Sequence, residues 1–275
     1  MSPEYKLALI TGGSSGIGLA LAQALVKQGT GVCLLARDKH KLALRKNDLL
    51  EISTGEHQKI ETLSCDITDY ETLSQVLDRW VDQSGVPDLV INSAGVTYPG
   101  YFQALDVKIF HWLMDINYFG TLHVLKCLIP MMVAQGSGTV VNISSQAGFI
   151  GVFGYSGYGA SKYAVRGLSD VLRVEMKPHG VKVAIVFPPD TQTPQLDFEE
   201  RLKPIETKEI ASSAKVLSAE KVADSVLKGL KKDKYIIIPG FEGKLFYRLN
   251  QLMGNLTYPI MDWMVRRAQK KKQAD

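Results

Sequence analysis

A short apolar run, Lys6-Leu-Ala-Leu-Ile10, passes without a break into Thr11-Gly-Gly-Ser-Ser-Gly-Ile-Gly18 and then into the helical pattern Leu19 to Lys27. A buried strand, a glycine-rich turn and a helix in direct succession leave few architectures open, because the chain must reverse within a handful of residues. In this reading Gly12 allows the tight turn, Gly16 lets backbone approach a pyrophosphate, and Gly18 permits close helix packing. The helix N-terminus then faces the phosphates, with Ser14, Ser15 and Ile17 completing the loop.

A second buried strand, Gly31-Val-Cys-Leu-Leu-Ala36, ends where such folds choose their dinucleotide. An acidic residue there serves the ribose hydroxyls of NAD, whereas the 2′-phosphate of NADP needs a cation. This chain has Ala36 and Arg37, with Lys41 one helical turn on, so the expected cofactor is NADPH/NADP+. The bland alternative is a solvated corner, more credible for Lys41 than for Arg37. A helix of about 38–53 leads to a third strand, Glu61 to Cys65, and then to Asp66-Ile67-Thr68-Asp69. Thr68 and Glu71 have capping-box spacing for a helix of about 69–84, which leaves Asp66 free. Turn chemistry alone makes it equally a residue that closes the turn. The fourth strand, Asp88 to Asn92, ends in Asn92-Ser-Ala94-Gly95, small residues suited to a close approach of backbone to cofactor. Residues of about 105–135 carry apolar side chains at helical spacing and include Asn117, unfavourable inside a helix and in need of a reason. An exposed surface position is the alternative.

The fifth strand, Gly138 to Ser144, is followed by Ser145, and Tyr158-Gly-Ala-Ser-Lys162 lies at the start of a helix of 156–177. Tyr158 and Lys162 thus share one helix face. A phenol titrates at about 10, and a nearby ammonium favours the phenolate, so Lys162 is expected to tune Tyr158 as a general acid/base. Ser145 lies thirteen residues before Tyr158, and the intervening loop can return its hydroxyl to the ring. The Tyr/Lys pair alone is common by chance. The glycine loop at the other end of the chain gives it weight.

Together, Thr-Gly-x3-Gly-x-Gly, Asn-x-Ala-Gly, Ser145 and Tyr158-x3-Lys162 resemble the short-chain dehydrogenase/reductase family over about residues 5–240. The resemblance implies an α/β fold: a Rossmann-type, doubly wound, seven-stranded parallel sheet flanked by helices. It implies that Asp66 contacts the adenine amine with Ile67 behind the ring. It further implies that Asn117 distorts its helix and orders a water leading to Lys162, and that Asn117, Ser145, Tyr158 and Lys162 are catalytic. Tyr158 and Lys162 would also meet the nicotinamide ribose, and subunits would pair as a homodimer or homotetramer through 105–135 and 156–177. Most of the family has Pro-Gly after the sixth strand, Val181 to Phe187, whereas this chain reads Pro188-Pro-Asp-Thr191-Gln-Thr193-Pro. Thr193 keeps its place, so Pro188, Thr191 and Thr193 join the expected cofactor contacts; Ser93 is a second, milder departure. With Ser144-Ser-Gln-Ala-Gly148, Arg166-Gly-Leu168, Lys177-Pro178 and Lys203-Pro-Ile-Glu-Thr207, this run is similar to the 3-ketodihydrosphingosine reductases. That likeness implies NADPH-dependent reduction of a long-chain 3-keto sphingoid base in sphingolipid metabolism. The rivals are a reductase of another apolar carbonyl (steroid, retinoid or 3-ketoacyl chain) and a non-catalytic dinucleotide sensor. The intact Ser145, Tyr158 and Lys162 set argues against the sensor.

The 275 residues suit one domain, 1–275, with a substrate lid at about 190–217 and an amphipathic, basic segment at about 241–275. Residues 195–217 lack periodicity and are expected to be a mobile lid. Leu245, Leu249, Leu252, Met253, Leu256 and Ile260 form an apolar stripe broken by Pro259, followed by Trp263 and the basic run Arg266 to Lys272. Such a stripe by default packs on its own core or a partner subunit. The other reading is peripheral contact with an anionic membrane. A net charge of +4, from 32 basic and 28 acidic residues without a basic aromatic face, gives no support for nucleic-acid binding. Cys33, Cys65 and Cys127 lack metal-ligand spacing and the five histidines are scattered, so no metal is expected. No signal peptide or transmembrane stretch is read, which gives a cytoplasmic or cytosol-facing expectation.

Overall fold

The computed structural model describes residues 4–55, 58–211 and 215–272, the last three by backbone alone. Its first half runs β1 (Leu7–Thr11), α1 (Gly16–Val26), β2 (Gly31–Ala36), α2 (Lys39–Glu51), β3 (Ile60–Ser64), α3 (Tyr70–Ser84) and β4 (Leu89–Asn92). There follow α4 (Val107–Met114), a π-helical turn (Asp115–Phe119), α5 (Gly120–Gln135), β5 (Gly138–Ile143), α6 (Ser156–Met176) and β6 (Val181–Val186). The remainder is β7 (Thr191–Gln192), α7 (Pro194–Glu200), α8 (Ile205–Ala211), β8 (Leu217–Ser218), α9 (Ala219–Leu230), β9 (Ile236–Ile237), α10 (Phe241–Met253) and α11 (Thr257–Lys272).

Seven strands pair in the order β3-β2-β1-β4-β5-β6-β9, all parallel, and β7 and β8 form a separate small ribbon. This is the expected Rossmann-type sheet. Its winding reverses between β1 and β4, which opens a crevice beyond their carboxyl ends. The central strands bury both faces, so they read as continuous apolar runs rather than alternating ones. In β1, Ala8 and Ile10 join the cluster that includes Leu21 and Leu25 of α1 and Val222 and Val226 of α9. Leu7 and Leu9 join Leu73 and Leu77 of α3 and Leu125 and Leu128 of α5 on the other face. Each fully buried leucine of this kind contributes on the order of 1.5–3 kcal/mol.

Several local expectations are corrected. Helix α3 is capped by Asp69, whose carboxylate accepts from Thr72 N at 3.1 Å, and not by Thr68. The Thr68 amide and hydroxyl both donate to Asp66, at 2.9 Å each, so Asp66 closes this turn and is not left free. Residues 195–217 include two short helices, α7 and α8, where an aperiodic lid was expected; residues 212–214 of that segment lie outside the described residues. Pro259 does not break the C-terminal pattern. It sits in the first turn of α11, where its missing amide costs nothing, and the break falls at Gly254 with φ 50°. The last strand is only Ile236–Ile237.

The C-terminal stripe itself does not pack on the core of its own chain. Tyr247 stacks on Phe187 with centroids 6.0 Å apart and meets Phe149 edge-on at 5.0 Å, and Met261 joins the same cluster. Leu245, Leu249, Leu252, Leu256, Ile260 and Trp263 are instead exposed. In the basic run that follows, the side chains of Lys270, Lys271 and Lys272 lie outside the described residues. Among the described residues, one helical run, Val107–Gln135, is long and apolar enough to cross a membrane, and half of its most apolar window is buried within the fold.

Candidate active site

The crevice is a single cleft of about 1080 Å³ that runs from the glycine loop, past the ends of β4 and β5, to α7 and α10. At its first end Gly12 has φ 65°, and a Cβ there would lie 2.8 Å from the Ala94 backbone. A Cβ on Gly18 would meet the Gly12 carbonyl oxygen at 2.6 Å, so the loop closes on itself only with glycine at both positions. Thr11 Oγ1 fastens the loop to the β4 end by accepting from the Ser93 and Ala94 amides, each at 3.1 Å.

Among the described residues, α-helices with a capping side chain include α2 with Asp38, α3 with Asp69, α4 with Asp106, α7 with Thr193 and α9 with Ser218. Ser15 at the start of α1 makes no such bond. The first amides of α1 therefore stay available at the cleft, an arrangement suited to an anionic phosphate. Arg37 and Lys41 flank the same end. Their neighbours in the structure are exposed carboxylates at long range, Arg37 with Asp66 at 3.7 Å and Lys41 with Asp38 at 3.8 Å. Asp38 is engaged as the α2 cap, where Lys41 N binds it at 3.0 Å. These features fit a phosphorylated dinucleotide.

Most of the residues singled out in the sequence meet in this cleft. Ser14, Ser15, Gly16, Ile17, Asp66, Ile67, Ala94, Gly95, Pro188, Thr191 and Thr193 all line it, as do Ser145, Tyr158 and Lys162. Gly18, Asn92 and Asn117 do not. Gly18 acts through packing, as above. Asn92, expected at the cofactor, is buried between strands and donates to Asn142 Oδ1 at 2.9 Å, and Asn142 in turn donates to Ser169.

Asn117 is fully buried in the π-helical turn, which excludes the exposed-surface alternative. Its amide accepts from Val96 N at 2.8 Å and donates to Val96 O and Ser161 Oγ, both at 2.9 Å. The extra residue of the π turn lets that side chain bridge the β4 loop and α6. A Cβ on Gly95 would lie 3.1 Å from Asn117 Oδ1 and 3.2 Å from Lys162 Nζ, so all three groups converge.

Tyr158 and Lys162 stand one turn apart on the buried face of α6, and Lys162 Nζ donates to Ile143 O at 3.1 Å. Ser145 follows β5 and accepts from Ala147 N at 3.2 Å, which fixes its hydroxyl in the turn. Burial holds the Tyr158 phenol well above its usual range. Hydrogen bonding to Ser145 opposes this, the Glu199 and Asp190 charges reinforce it, and Gln195 opposes it weakly. The expected lowering by Lys162 is not seen. Its Nζ lies 5.7 Å from the ring centroid, and burial pushes its own value down to about 8. A phenol held neutral is a proton donor at neutral pH.

Sequence reading missed Gln195, Tyr155 and Glu199, which also line the cleft. The Tyr155 and Tyr158 rings lie 5.6 Å apart. The available signal was the spacing Glu199-Glu200-x-x-Lys203, which places charges three and four apart on a helix.

A family model described as short chain dehydrogenase matches residues 6–201. A Mus musculus protein named 3-ketodihydrosphingosine reductase is 36% identical over 250 residues, covering 90% of this chain and 75% of its own. A Dictyostelium discoideum protein of the same name is 38% identical over 248 residues, covering 84% and 74%. Among solved structures, a short-chain dehydrogenase from Sphingobium yanoikuyae in complex with NADPH superposes with TM-score 0.78 at 28% identity, covering 94% of this chain and 96% of that one.

Proposed function

The chain belongs to the short-chain dehydrogenase family, and from that premise we propose that it reduces a long-chain 3-keto sphingoid base to the secondary alcohol with NADPH. The observation that carries this reading is the convergence of Ser145, Tyr158 and Lys162 in the cleft that begins at the uncapped end of α1. The relatives named for that reaction match over most of the chain and supply the substrate.

NADPH, when bound, supplies the hydride. The chain's residues do the rest. The α1 amides, Ser14 and Ser15 bind the phosphates, and Arg37 with Lys41 reads the 2′-phosphate. Asp66 and Ile67 receive the adenine. Gly95, Pro188, Thr191 and Thr193 shape the wall. Ser145 donates its hydroxyl to the ketone oxygen and holds it next to the Tyr158 phenol. Tyr158 transfers its proton to that oxygen as the alkoxide forms, a step worth typically 10²–10⁴ in rate, of the order of other positioned general acids. Lys162 holds the ribose and carries a proton that replenishes the phenol. Asn117 holds the β4 loop against α6 so that Lys162 keeps its place.

Residues 190–211 cover the ketone side of the cleft. Subunits pair through α4–α5 and α6, where Val107, Phe119, Tyr163, Val171 and Val174 are exposed. Exposed Leu245, Leu249, Leu252 and Trp263, with Arg248 and Arg266 on the same two helices, rest on an anionic bilayer from which the substrate enters. A cytosol-facing setting fits three free, buried cysteines.

The test is NADPH oxidation by the purified protein across 3-keto sphingoid bases, steroids, retinoids and 3-ketoacyl thioesters, with product identification. Reduction of the sphingoid base with the highest kcat/KM supports the reading. Preference for another carbonyl class overturns its substrate, and binding of NADPH without turnover of any ketone would favour the sensor.

A further inference from the structure

The ketone side of the cleft holds a charge arrangement that the reaction above does not use. Three carboxylates converge on one ammonium: Lys203 Nζ lies 3.2 Å from Asp190 Oδ2, 3.4 Å from Glu199 Oε1 and 2.5 Å from Glu200 Oε1. The lysine side chain is 1% exposed. Glu199 is buried with the lysine, whereas the Asp190 and Glu200 side chains are 33% and 48% exposed, so one buried cation is shared among three anions of which two also face solvent. Of the three, Asp190 and Glu199 line the cleft, and Glu199 is 6% exposed.

Their position relative to the reacting groups is equally specific. The Tyr155 ring lies 5.6 Å from that of Tyr158, and burial followed by the Glu199 charge pushes its phenol far above the usual range. Both carboxylates act on the Tyr158 phenol itself, each raising it. The local scaffold is hydrogen-bonded: Thr193 caps α7 through Leu196 N at 3.3 Å, and Lys203 N returns to Glu199 O at 2.9 Å. The lysine therefore serves to hold two carboxylates at the wall of the cavity and leaves part of their charge for a ligand.

We infer that Glu199 and Asp190 bind the protonated amine of the substrate, and that the enzyme is specific for α-amino ketones over ketones of the same length without the amine. The inference rests on the proposed reductase function and names its recognition group. A 3-keto sphingoid base carries its ammonium on the carbon next to the carbonyl. Once Ser145 and Tyr158 hold the carbonyl oxygen, the ammonium lies one carbon from the carbonyl, inside the same cleft that Asp190 and Glu199 line. Its arrival has an electrostatic consequence. Burial is the main reason that Tyr158 keeps its proton, and the two carboxylates add to it; a cation paired with them cancels that added part, so the phenol becomes a stronger acid when the correct substrate is in place. The bound ammonium also favours the developing alkoxide next to it.

The test compares kcat/KM for short-chain 3-ketodihydrosphingosine and its desamino 1-hydroxy-3-ketone analogue. Wild type should prefer the amine by at least about thirtyfold, the lower end expected for an unmatched charged partner at a desolvated site. In Glu199→Gln the ratio of the two efficiencies should collapse to within a few-fold. If Glu199→Gln does not fold, Asp190→Asn, at a side chain 33% exposed, should lower the same ratio by about tenfold, as a charged hydrogen bond lost at a wetter site. Equal efficiencies in wild type, or an unchanged ratio in a folded variant, overturn the inference while leaving the reductase reading intact. If neither ketone is reduced, the reductase reading fails instead. Binding of short-chain dihydrosphingosine and its desamino 1,3-diol to the wild-type NADP+ complex, by equilibrium dialysis, then decides the inference. Tighter binding of the amine upholds it, and equal binding overturns it.

Discussion

The two ends of the cleft are built from different material. The end proposed for the nucleotide is mostly backbone: Gly12 and Gly18 pack main chain on main chain, and the start of α1 carries no capping side chain. The ketone end is side chains held by one another, with Tyr158, Tyr155 and Glu199 crowded above a lysine that bridges three acids. A backbone site binds what every dinucleotide shares and tolerates change around it. A side-chain site reads one substrate, and single substitutions there should have sharply separated effects.

The largest such effect should come from Tyr158→Phe. It removes the proposed proton donor and leaves the glycine-loop end untouched, so turnover should drop about a thousandfold while NADPH affinity, read by cofactor fluorescence, stays within about twofold. Turnover within tenfold of wild type would show that another group delivers the proton. The comparison between the two ends would then fail at its centre.

Lys162 stands where the two ends meet, and its variant should separate stability from activity. Burial lowers its folded value to about 8 from 10.5. Below pH 8 both folded and unfolded chains hold this proton, and the folded state bears the full cost of a buried ammonium, about 3 kcal/mol at most. Between pH 8 and about 10.5 the unfolded chain binds more protons, so this cost is relieved as pH rises. Above pH 10 the buried Tyr158 acts in the opposite sense, because the unfolded phenol ionises first. Lys162→Met removes the cost and also the bond to Ile143 O, worth about 1 kcal/mol. The ligand-free variant should therefore melt several degrees above wild type at pH 7, with the gap narrowing by pH 10, while turnover is lost. A lower melting point across the whole range would mean that Lys162 is a net structural tie.

A smaller effect sharpens the nucleotide end. Arg37 is exposed and only loosely paired, at 3.7 Å from Asp66. Exchanging Ala36→Asp together with Arg37→Ala should move the NADPH/NADH ratio of kcat/KM towards NADH by about tenfold, a magnitude limited by solvent screening. An unmoved ratio would shift the phosphate contact to Lys41 or the serines of the loop.

These contrasts explain what could be read before the structure. The strands and the glycine loop announce themselves because burial on both faces forces continuous apolar runs, and positive φ forces glycine. Ser145, Tyr158 and Lys162 were legible because helix spacing and a strand end are local properties. Asn117 stood out for its poor helix propensity, but the bridge from Val96 to Ser161 is a tertiary fact. The cap of α3 moved by one residue because Asp66 captures the Thr68 hydroxyl, a competition that spacing cannot resolve. Helices α7 and α8 span seven residues each, too few for periodicity to register, and although the spacing of Glu199, Glu200 and Lys203 was legible, the arrival of Asp190 at the same ammonium is a tertiary fact. In α10 the apolar stripe was read from helical spacing, but sequence could not say that Tyr247, outside that stripe, would make the aromatic contacts with Phe149 and Phe187.

The exposed flank of α10 and α11 gives the smallest prediction and extends the comparison beyond the cleft. Phe241, Leu252 and Trp263 are 78%, 85% and 56% exposed, and Phe241 belongs to the mouth of the cleft as well. An amphiphilic substrate arriving from a bilayer would meet this flank before the carboxylates within. Binding should therefore combine apolar insertion with attraction of α11 to anionic lipid, and each basic side chain near the surface adds about 1 kcal/mol at low salt. Arg266→Gln should weaken sedimentation with phosphatidylserine vesicles about fivefold, and the difference should shrink as salt is raised. Turnover of a short, soluble ketone should not respond, because Arg266 is outside the cleft. Leu252→Asp removes the apolar part and should weaken binding to neutral vesicles too. If neither substitution alters sedimentation but Leu252→Asp changes the oligomer seen by light scattering, the exposed flank meets a second subunit, and the substrate enters from solution.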